Sequence, residues 1–183
     1  MNDLDFIDPC LMRVPGWAPR MLCRRVGGVQ SDGGHGAGQM WMDDFVVGDR
    51  FYSGEEIEIT EEAIVAFAEE YDPQPGHLSE EAALATPFGG LAASGWHTAA
   101  VTMRLLFNLG FTGIIGAQVT LAWPTPTRPG DRLHVDVRVT SKRDSASKPD
   151  RGVVTLEYDT LNHEGEVRQK AQTVIIAWHR PNQ

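Results

Sequence analysis

The spacing of hydrophobic residues is regular from Met42 onward and predicts helices in the first part of the chain. Thr60 is a good N-cap residue, and the two glutamates after it suit the positive end of a helix. Apolar residues then recur at helical spacing, at Ile64, Phe67, Ala68 and Tyr71. This helix should end near Asp72, because two prolines follow closely. Ser79 is expected to cap a second, short helix that runs through Leu84.

A longer helix is predicted from Ser94–Gly95 to about Asn108, where a glycine typical of helix ends follows. Its apolar residues cover most of its circumference, so we expect it to be deeply buried. These residues are Trp96, Ala99, Ala100, Met103, Leu106 and Phe107.

After this helix the period changes to two, which predicts strands. A short strand is also expected near Ile57 and Ile59, and a polar loop over residues 142–151. The long strands are predicted at residues 114–123, 133–140, 153–161 and 167–178. A sheet with one apolar face must be covered, and the buried helix is the obvious cover. The pattern therefore indicates an α+β domain with an antiparallel sheet wrapped around a central helix, although alternation alone allows other α+β folds.

The first forty residues have a different composition from the remainder. They contain three prolines and a glycine-rich stretch, and such a segment cannot bury enough apolar surface to offset its chain entropy. We expect residues 1–40 to be a disordered or non-native leader, with Met40 or Met42 as an alternative start. Residues 41–183 then form the single folded domain, which is long enough to bury a core.

Composition and charge narrow the function classes. The net charge of −9 argues against nucleic acids and anionic membranes as partners, because both require clustered basic residues. The two cysteines lie within the first forty residues, which argues against a secreted disulfide framework and favours the cytoplasm. The sequence has no apolar run long enough to span a bilayer and no spacing typical of a zinc site. We expect no metal and no redox cofactor.

A carboxylate and an imidazole, Asp72 and His77, lie five residues apart on a segment that Pro73 and Pro75 stiffen. An imidazole exchanges a proton near neutral pH, and a nearby carboxylate can activate or orient water. Such a pair can add water to a double bond or remove it, since that reaction needs one proton taken and one given. The same residues also suit a simple turn with a surface histidine.

Gly95 lies at the predicted start of the buried helix. A helix N-terminus presents unpaired N–H groups and a positive dipole end, and a glycine lets a carbonyl approach closely. This is what an oxyanion site for a thioester enolate requires. A tight turn with helix packing explains the glycine equally well.

Taken together, these segments resemble a known family, the MaoC-like dehydratases and (R)-specific enoyl-CoA hydratases. Asp72 and His77, with Pro75 two residues before the histidine, resemble its Asp-x-Asn-Pro-(aliphatic)-His signature. The stretch 88–96 resembles its Phe-Gly-Gly block, and 123–133 resembles its Pro-Val-x-x-Gly-Asp-x-Leu block. Phe45-x-x-Gly48-Asp49 is similar to the entry of that family, so the resemblance spans about residues 42–180.

The resemblance implies a single hot-dog fold, assembled as a homodimer or a higher homo-oligomer. It implies reversible hydration of a trans-2-enoyl-CoA-type thioester to an (R)-3-hydroxyacyl thioester. Asp72 and His77 would be the catalytic pair, and the backbone N–H of Gly95 would hold the thioester oxygen. Gln74, Ser94 and Trp96 would contact the acyl-CoA-type substrate.

Two residues depart from the signature. Gln74 replaces its asparagine, and Gly76 replaces its aliphatic residue, so we expect a looser loop around His77. Arg104, Arg128 and Arg132 are candidates for CoA phosphate contacts, Met103 and Leu106 are candidates for an acyl pocket, and His97 is expected to pack. A hot-dog acyl-CoA thioesterase and a non-catalytic acyl-thioester-binding domain are the alternative functions.

Overall fold

The computed structural model describes residues 40–111 and 114–181. The predicted leader, apart from Met40, lies outside the described residues. Met40 itself is buried, and its N–H donates to the Gly110 carbonyl. The first described residue is therefore part of the core, which also contains Met42 and Phe45.

Helices dominate the first half of the domain, as predicted. A short 3₁₀ helix, Met42–Asp44, precedes two short strands, β1 (Arg50–Tyr52) and β2 (Ile57–Glu58). Four α-helices follow: α1 (Glu61–Tyr71), α2 (Pro75–Leu78), α3 (Glu80–Leu84) and α4 (Gly95–Asn108). The Thr60 hydroxyl accepts the Ala63 N–H, and the Ser79 hydroxyl accepts the Ala82 N–H, so both predicted caps form.

Four long strands complete the fold: β3 (Ile115–Ala122), β4 (Arg132–Asp144), β5 (Arg151–Leu161) and β6 (Val167–Trp178). The sheet is antiparallel, with strand order β1-β4-β5-β6-β3 and β2 paired beside β4. β3 therefore lies at one end of this order.

The predicted loop over residues 142–151 is too long. β4 continues to Asp144 and β5 begins at Arg151, so only the segment between them connects the two strands. The pairing register shifts between Val139 and Ser141. A bulge of this kind interrupts the alternation of side chains between the two faces of a strand, so the sequence pattern does not reveal the last residues of β4.

The core lies between α4 and the concave face of the sheet. The alternating residues Leu133, Val135, Val137 and Val139 of β4 are fully buried beneath the helix. Leu105 and Leu106 of α4 pack into the same cluster. This confirms the predicted α+β class and the hot-dog arrangement of a sheet around a central helix.

The prediction that α4 is buried on most sides is wrong. Trp96, Met103 and Phe107 lie on one face of the helix and are 61%, 60% and 47% exposed. Val119 on the terminal strand β3 is also exposed, at 53%. The sheet covers only one side of α4 in a single chain, so an apolar stripe on the helix, formed by Trp96, Met103 and Phe107, remains uncovered.

Candidate active site

The segment between α1 and α3 places a carboxylate and an imidazole next to each other. Asp72 is the C-cap residue of α1, and its N–H donates to the Ala68 carbonyl. The predicted proline-stiffened loop is in fact a one-turn helix, α2, with Pro75 as its first residue. Proline is favoured at this position because its missing N–H would have no helical partner. His77 is thereby fixed on a helical turn and is buried, with 4% of the residue exposed.

One ring nitrogen of His77 has a defined role. Nδ1 lies 2.7 Å from the Ala92 carbonyl oxygen. A carbonyl can only accept, so Nδ1 must be the protonated nitrogen of the neutral ring. The lone pair of the neutral imidazole is then on Nε2, which lies 3.7 Å from Asp72 Oδ2. With the ring in its neutral form, both groups present an acceptor atom to the space between them.

Asp72 is held by two side chains. The Ser94 hydroxyl donates to Oδ2 at 2.6 Å, and the Gln74 amide donates to Oδ1 at 2.7 Å. These two hydrogen bonds, the Ser94 one first, lower the pKa of Asp72. Asp72 is therefore a carboxylate at neutral pH.

The N-terminus of α4 lies next to Asp72. The Ser94 hydroxyl accepts the Trp96 N–H, so one serine caps the helix and holds Asp72. Gly95 is the first residue of the helix, where an N–H has no intrahelical partner. A Cβ at Gly95 would lie 2.7 Å from the Trp123 ring, so only glycine lets this indole lie against the helix start.

These groups border one cavity of about 390 Å³. Among the residues predicted for the site, Asp72, Gln74, His77, Gly95 and Trp96 line it. Ser94 does not line it: this residue is 1% exposed, and its hydroxyl is occupied by Asp72. The structure therefore gives Ser94 a contact with the carboxylate, where the sequence suggested a contact with substrate.

Other residues of the cavity were missed as site residues. Their side chains carry no acid or base group, so the sequence pattern assigned them no role in the site. They are Phe88, Ala93, Thr98, Trp123, Thr125, Pro126 and Thr127. The Trp123 indole N–H donates to the Gln169 side chain at 2.8 Å, and Gln169 donates to the Thr102 hydroxyl. This chain of hydrogen bonds orients the indole that lines the cavity, and no local sequence pattern predicts it.

Gly76 does not loosen the segment around His77. A Cβ on Gly76 would lie 2.5 Å from Cδ2 of Phe88, whose ring fills the space above this turn. The same ring lies 5.2 Å from the His77 ring, centroid to centroid. The missing aliphatic side chain therefore leaves room for an aromatic ring that covers the imidazole.

The arginines suggested for phosphate contacts are engaged within the chain. Arg128 donates to three backbone carbonyls, Arg132 pairs with Glu56, and Arg104 lies over the Phe107 ring.

The two candidates for an acyl pocket, Met103 and Leu106, do not line the cavity. Met103 faces outward, and Leu106 is buried in the core. His97 packs as expected: its ring stacks on Phe67 with centroids 4.8 Å apart, and burial lowers its pKa.

Within residues 40–111 and 114–181, no group of three or more His, Cys, Asp or Glu side chains is arranged to hold a metal ion. In the same ranges, no helix combines the length and the apolar character needed to cross a membrane.

Comparison with known proteins gives a consistent result. A family model described as MaoC like domain matches residues 44–161. The crystal structure of the MaoC-like dehydratase from Rhodospirillum rubrum is 53% identical in sequence, with a TM-score of 0.75. The match covers 78% of this chain and 99% of that one.

Two curated proteins are also similar. The uncharacterised protein YdeM of Bacillus subtilis strain 168 is 31% identical over 142 residues, which are 75% of this chain and 99% of YdeM. A 3-hydroxybutyryl-CoA dehydratase of Methylorubrum extorquens AM1 is 39% identical over 84 residues. That match spans 45% of this chain and 54% of the dehydratase, so it covers only part of either protein.

Proposed function

This chain belongs to the MaoC-like domain family, and on that premise we propose that it is a hydro-lyase acting on thioesters. The proposed reaction adds water reversibly to a trans-2-enoyl-CoA-type thioester and yields an (R)-3-hydroxyacyl thioester. The named activity of the Methylorubrum extorquens relative, a 3-hydroxybutyryl-CoA dehydratase, supports the same class of reaction.

The observation that carries the proposal is the pair of acceptors on the cavity wall. Nε2 of His77 and Oδ2 of Asp72 are 3.7 Å apart. A water molecule makes hydrogen bonds of about 2.8 Å, so one water can donate to both atoms at once. Its oxygen lone pairs then face the cavity, where the double bond of a substrate would lie.

The proton balance follows from the two ionisation states. Asp72 is ionised and orients the water, while His77 Nε2 has the lone pair that takes a proton. As the water oxygen bonds to C3, the electrons of the C2–C3 double bond move onto the thioester oxygen. The pair then delivers one proton to C2, and the net change is the addition of one water.

The enolate formed in this step needs a donor at its oxygen. The first N–H groups of α4 supply one, because Gly95 is the first helical residue and has no side chain between its backbone and the cavity. The Trp123 ring occupies the space that a side chain at Gly95 would fill. We propose that the thioester oxygen lies against the Gly95 N–H.

The test is hydration of crotonyl-CoA and a panel of longer and branched enoyl-CoAs, followed by loss of absorbance of the conjugated thioester. Asp72→Asn and His77→Ala should each lower turnover by about 10²–10⁴-fold, as expected for loss of a proton-transfer group. Glu69→Gln and His163→Ala are matched controls on exposed positions and should keep the wild-type rate. Wild-type rates in both site variants would exclude this pair.

The same assay separates the two alternative functions. A thioesterase releases free CoA, which a thiol reagent detects, and it needs a carboxylate on the central helix. The helix from Gly95 to Asn108 contains none. A non-catalytic binding domain would retain enoyl-CoA without turnover of any member of the panel.

We also propose that the protein works as a homodimer or a higher homo-oligomer. An exposed apolar stripe such as the one on α4 marks an interaction surface, and Trp96 belongs both to the stripe and to the cavity lining. A second copy seated on the stripe would cover the open side of the cavity. The lack of cysteine in residues 41–183 supports the cytoplasm as the proposed compartment.

A further inference from the structure

The side chain of Arg128 forms hydrogen bonds with residues 88–91, which belong to the loop between α3 and α4. Nη1 of Arg128 donates to the carbonyls of Gly90, at 2.7 Å, and Leu91, at 3.0 Å. Nη2 donates to the carbonyl of Phe88. A single half-buried guanidinium thus satisfies three carbonyls of four consecutive residues, a geometry that suits its planar set of donors.

Arg128 is itself anchored. The backbone N–H of Arg128 donates to Asp131 Oδ2 at 2.8 Å. Asp131 is buried and forms a two-contact ion pair with Arg168, at 2.8 and 3.1 Å. The guanidinium therefore extends from a rigid part of the domain to the loop it holds.

The 88–91 loop and the residue that follows it contact His77 in two places. The residue after the loop, Ala92, offers its carbonyl to His77 Nδ1, and its N–H donates to the Gly76 carbonyl at 3.1 Å. At the other end of the loop, the ring of Phe88 covers the imidazole. The two residues that orient the imidazole are Phe88 and Ala92. Phe88 belongs to the loop that Arg128 holds, and Ala92 directly follows it.

From this arrangement we propose that Arg128 is a positioning residue for His77. It fixes the 88–91 loop so that the imidazole proton resides on Nδ1 and the Nε2 lone pair faces Asp72. The inference deepens the proposed function and rests on it for its catalytic meaning. Its structural content, the tautomer of one histidine, can be measured without any substrate.

The decisive measurement is the ¹⁵N–¹H correlation spectrum of the histidine rings in the folded protein, with His77 assigned by His77→Ala. Wild type should show one neutral tautomer, with the proton on Nδ1. Arg128→Gln should show a mixture of both tautomers, because the Ala92 carbonyl is no longer held in place. Arg128→Lys is the second variant: it keeps the charge but offers a compact ammonium in place of the fork, and it should also mix the tautomers.

Kinetics provide the second readout. In either variant kcat should fall by about tenfold or more while KM changes by less than about threefold, because the defect lies in orientation of the reacting group. Arg143→Gln is the matched control: it removes an exposed arginine near the end of β4 that does not line the cavity. This control should leave both the tautomer and kcat unchanged.

The outcomes separate the two proposals. A single Nδ1–H tautomer in folded Arg128→Gln or Arg128→Lys overturns the role of Arg128, whatever the enzymatic rates. Absence of turnover by wild type over the whole panel overturns the proposed hydration, while the tautomer still decides the role of Arg128. Mixed tautomers together with a loss in kcat support both.

Discussion

Replacing Ser94 with alanine removes two hydrogen bonds that meet at one hydroxyl. The hydroxyl accepts the Trp96 N–H as the N-cap of α4, and it donates to the Asp72 carboxylate at 2.6 Å. We expect Ser94→Ala to destabilise the domain and to free the carboxylate from its fixed orientation. The size of the effect follows from these two bonds.

Loss of an N-cap costs about 1 kcal/mol. A hydrogen bond to a charged group contributes about 1.5–3 kcal/mol, and the lower end applies because Asp72 borders an open cavity where water can replace the hydroxyl. The free energy of unfolding should therefore fall by about 2–3 kcal/mol at neutral pH. Ser79→Ala is the matched control, since Ser79 caps α3 in the same way. It should cost only about 1 kcal/mol.

Urea unfolding as a function of pH adds an independent check. The Ser94 bond is the main reason that the pKa of Asp72 lies below its ordinary value. A lowered folded-state pKa gives stability that is present above the unfolded-state pKa and is lost as the pH falls through the folded-state pKa. The extra cost of Ser94→Ala over Ser79→Ala should therefore be largest near neutrality and should shrink below about pH 4. Equal costs for the two variants at every pH would refute the reasoning.

Three further changes test other parts of the structure. Gly76→Ala should lower the melting temperature and kcat together, because its Cβ would lie 2.5 Å from Phe88 and would displace the ring above the imidazole. Arg168→Met should lower the free energy of unfolding by about 3–5 kcal/mol, since it leaves the buried Asp131 without its cation. Met103→Glu should shift the protein toward monomers in light scattering, because it places a charge in the apolar stripe.

Each of these changes has a control elsewhere on the chain. Gly54→Ala meets no atom within 4 Å of the new Cβ and should leave the melting temperature unchanged. Arg132→Met breaks an exposed pair with Glu56 and should cost less than about 1 kcal/mol. Leu84→Glu adds a charge at an apolar residue that is 61% exposed and lies outside the stripe. This change should leave the molar mass measured by light scattering as it is. Results that do not differ from these controls would contradict the corresponding structural explanation.

Elements whose cause is local could be predicted from the sequence. The caps at Thr60 and Ser79 mark helix starts because a short polar side chain satisfies a free N–H wherever it occurs. The bounds of α4 and β6 follow from an unbroken period and a glycine at a left-handed position, Gly110, with φ 93°. The pairing of Asp72 with His77 was also accessible, because both lie within one short segment.

Features that depend on distant contacts could not be predicted. The end of β4 is hidden by the shift at Val139, and the helical turn at His77 is hidden by the prolines around it. The contact of Arg128 with the loop depends on residues about forty positions apart, which no local pattern relates. The exposed face of α4 has the composition of a core helix, and composition does not distinguish a face buried by the same chain from one available to another copy.

The position of β3 at the end of the sheet has a consequence for biosynthesis. Among the described strands β3 pairs with β6 alone, and the Trp123 indole that follows β3 donates to Gln169, 46 residues later. At ~5–20 residues per second, the ribosome needs roughly 2–9 s to advance between these two residues. During that interval the nascent chain carries Asp72, His77 and α4 without the strand that secures the indole wall. Asp72 and His77 are thus synthesised before the strand that completes the cavity wall around them.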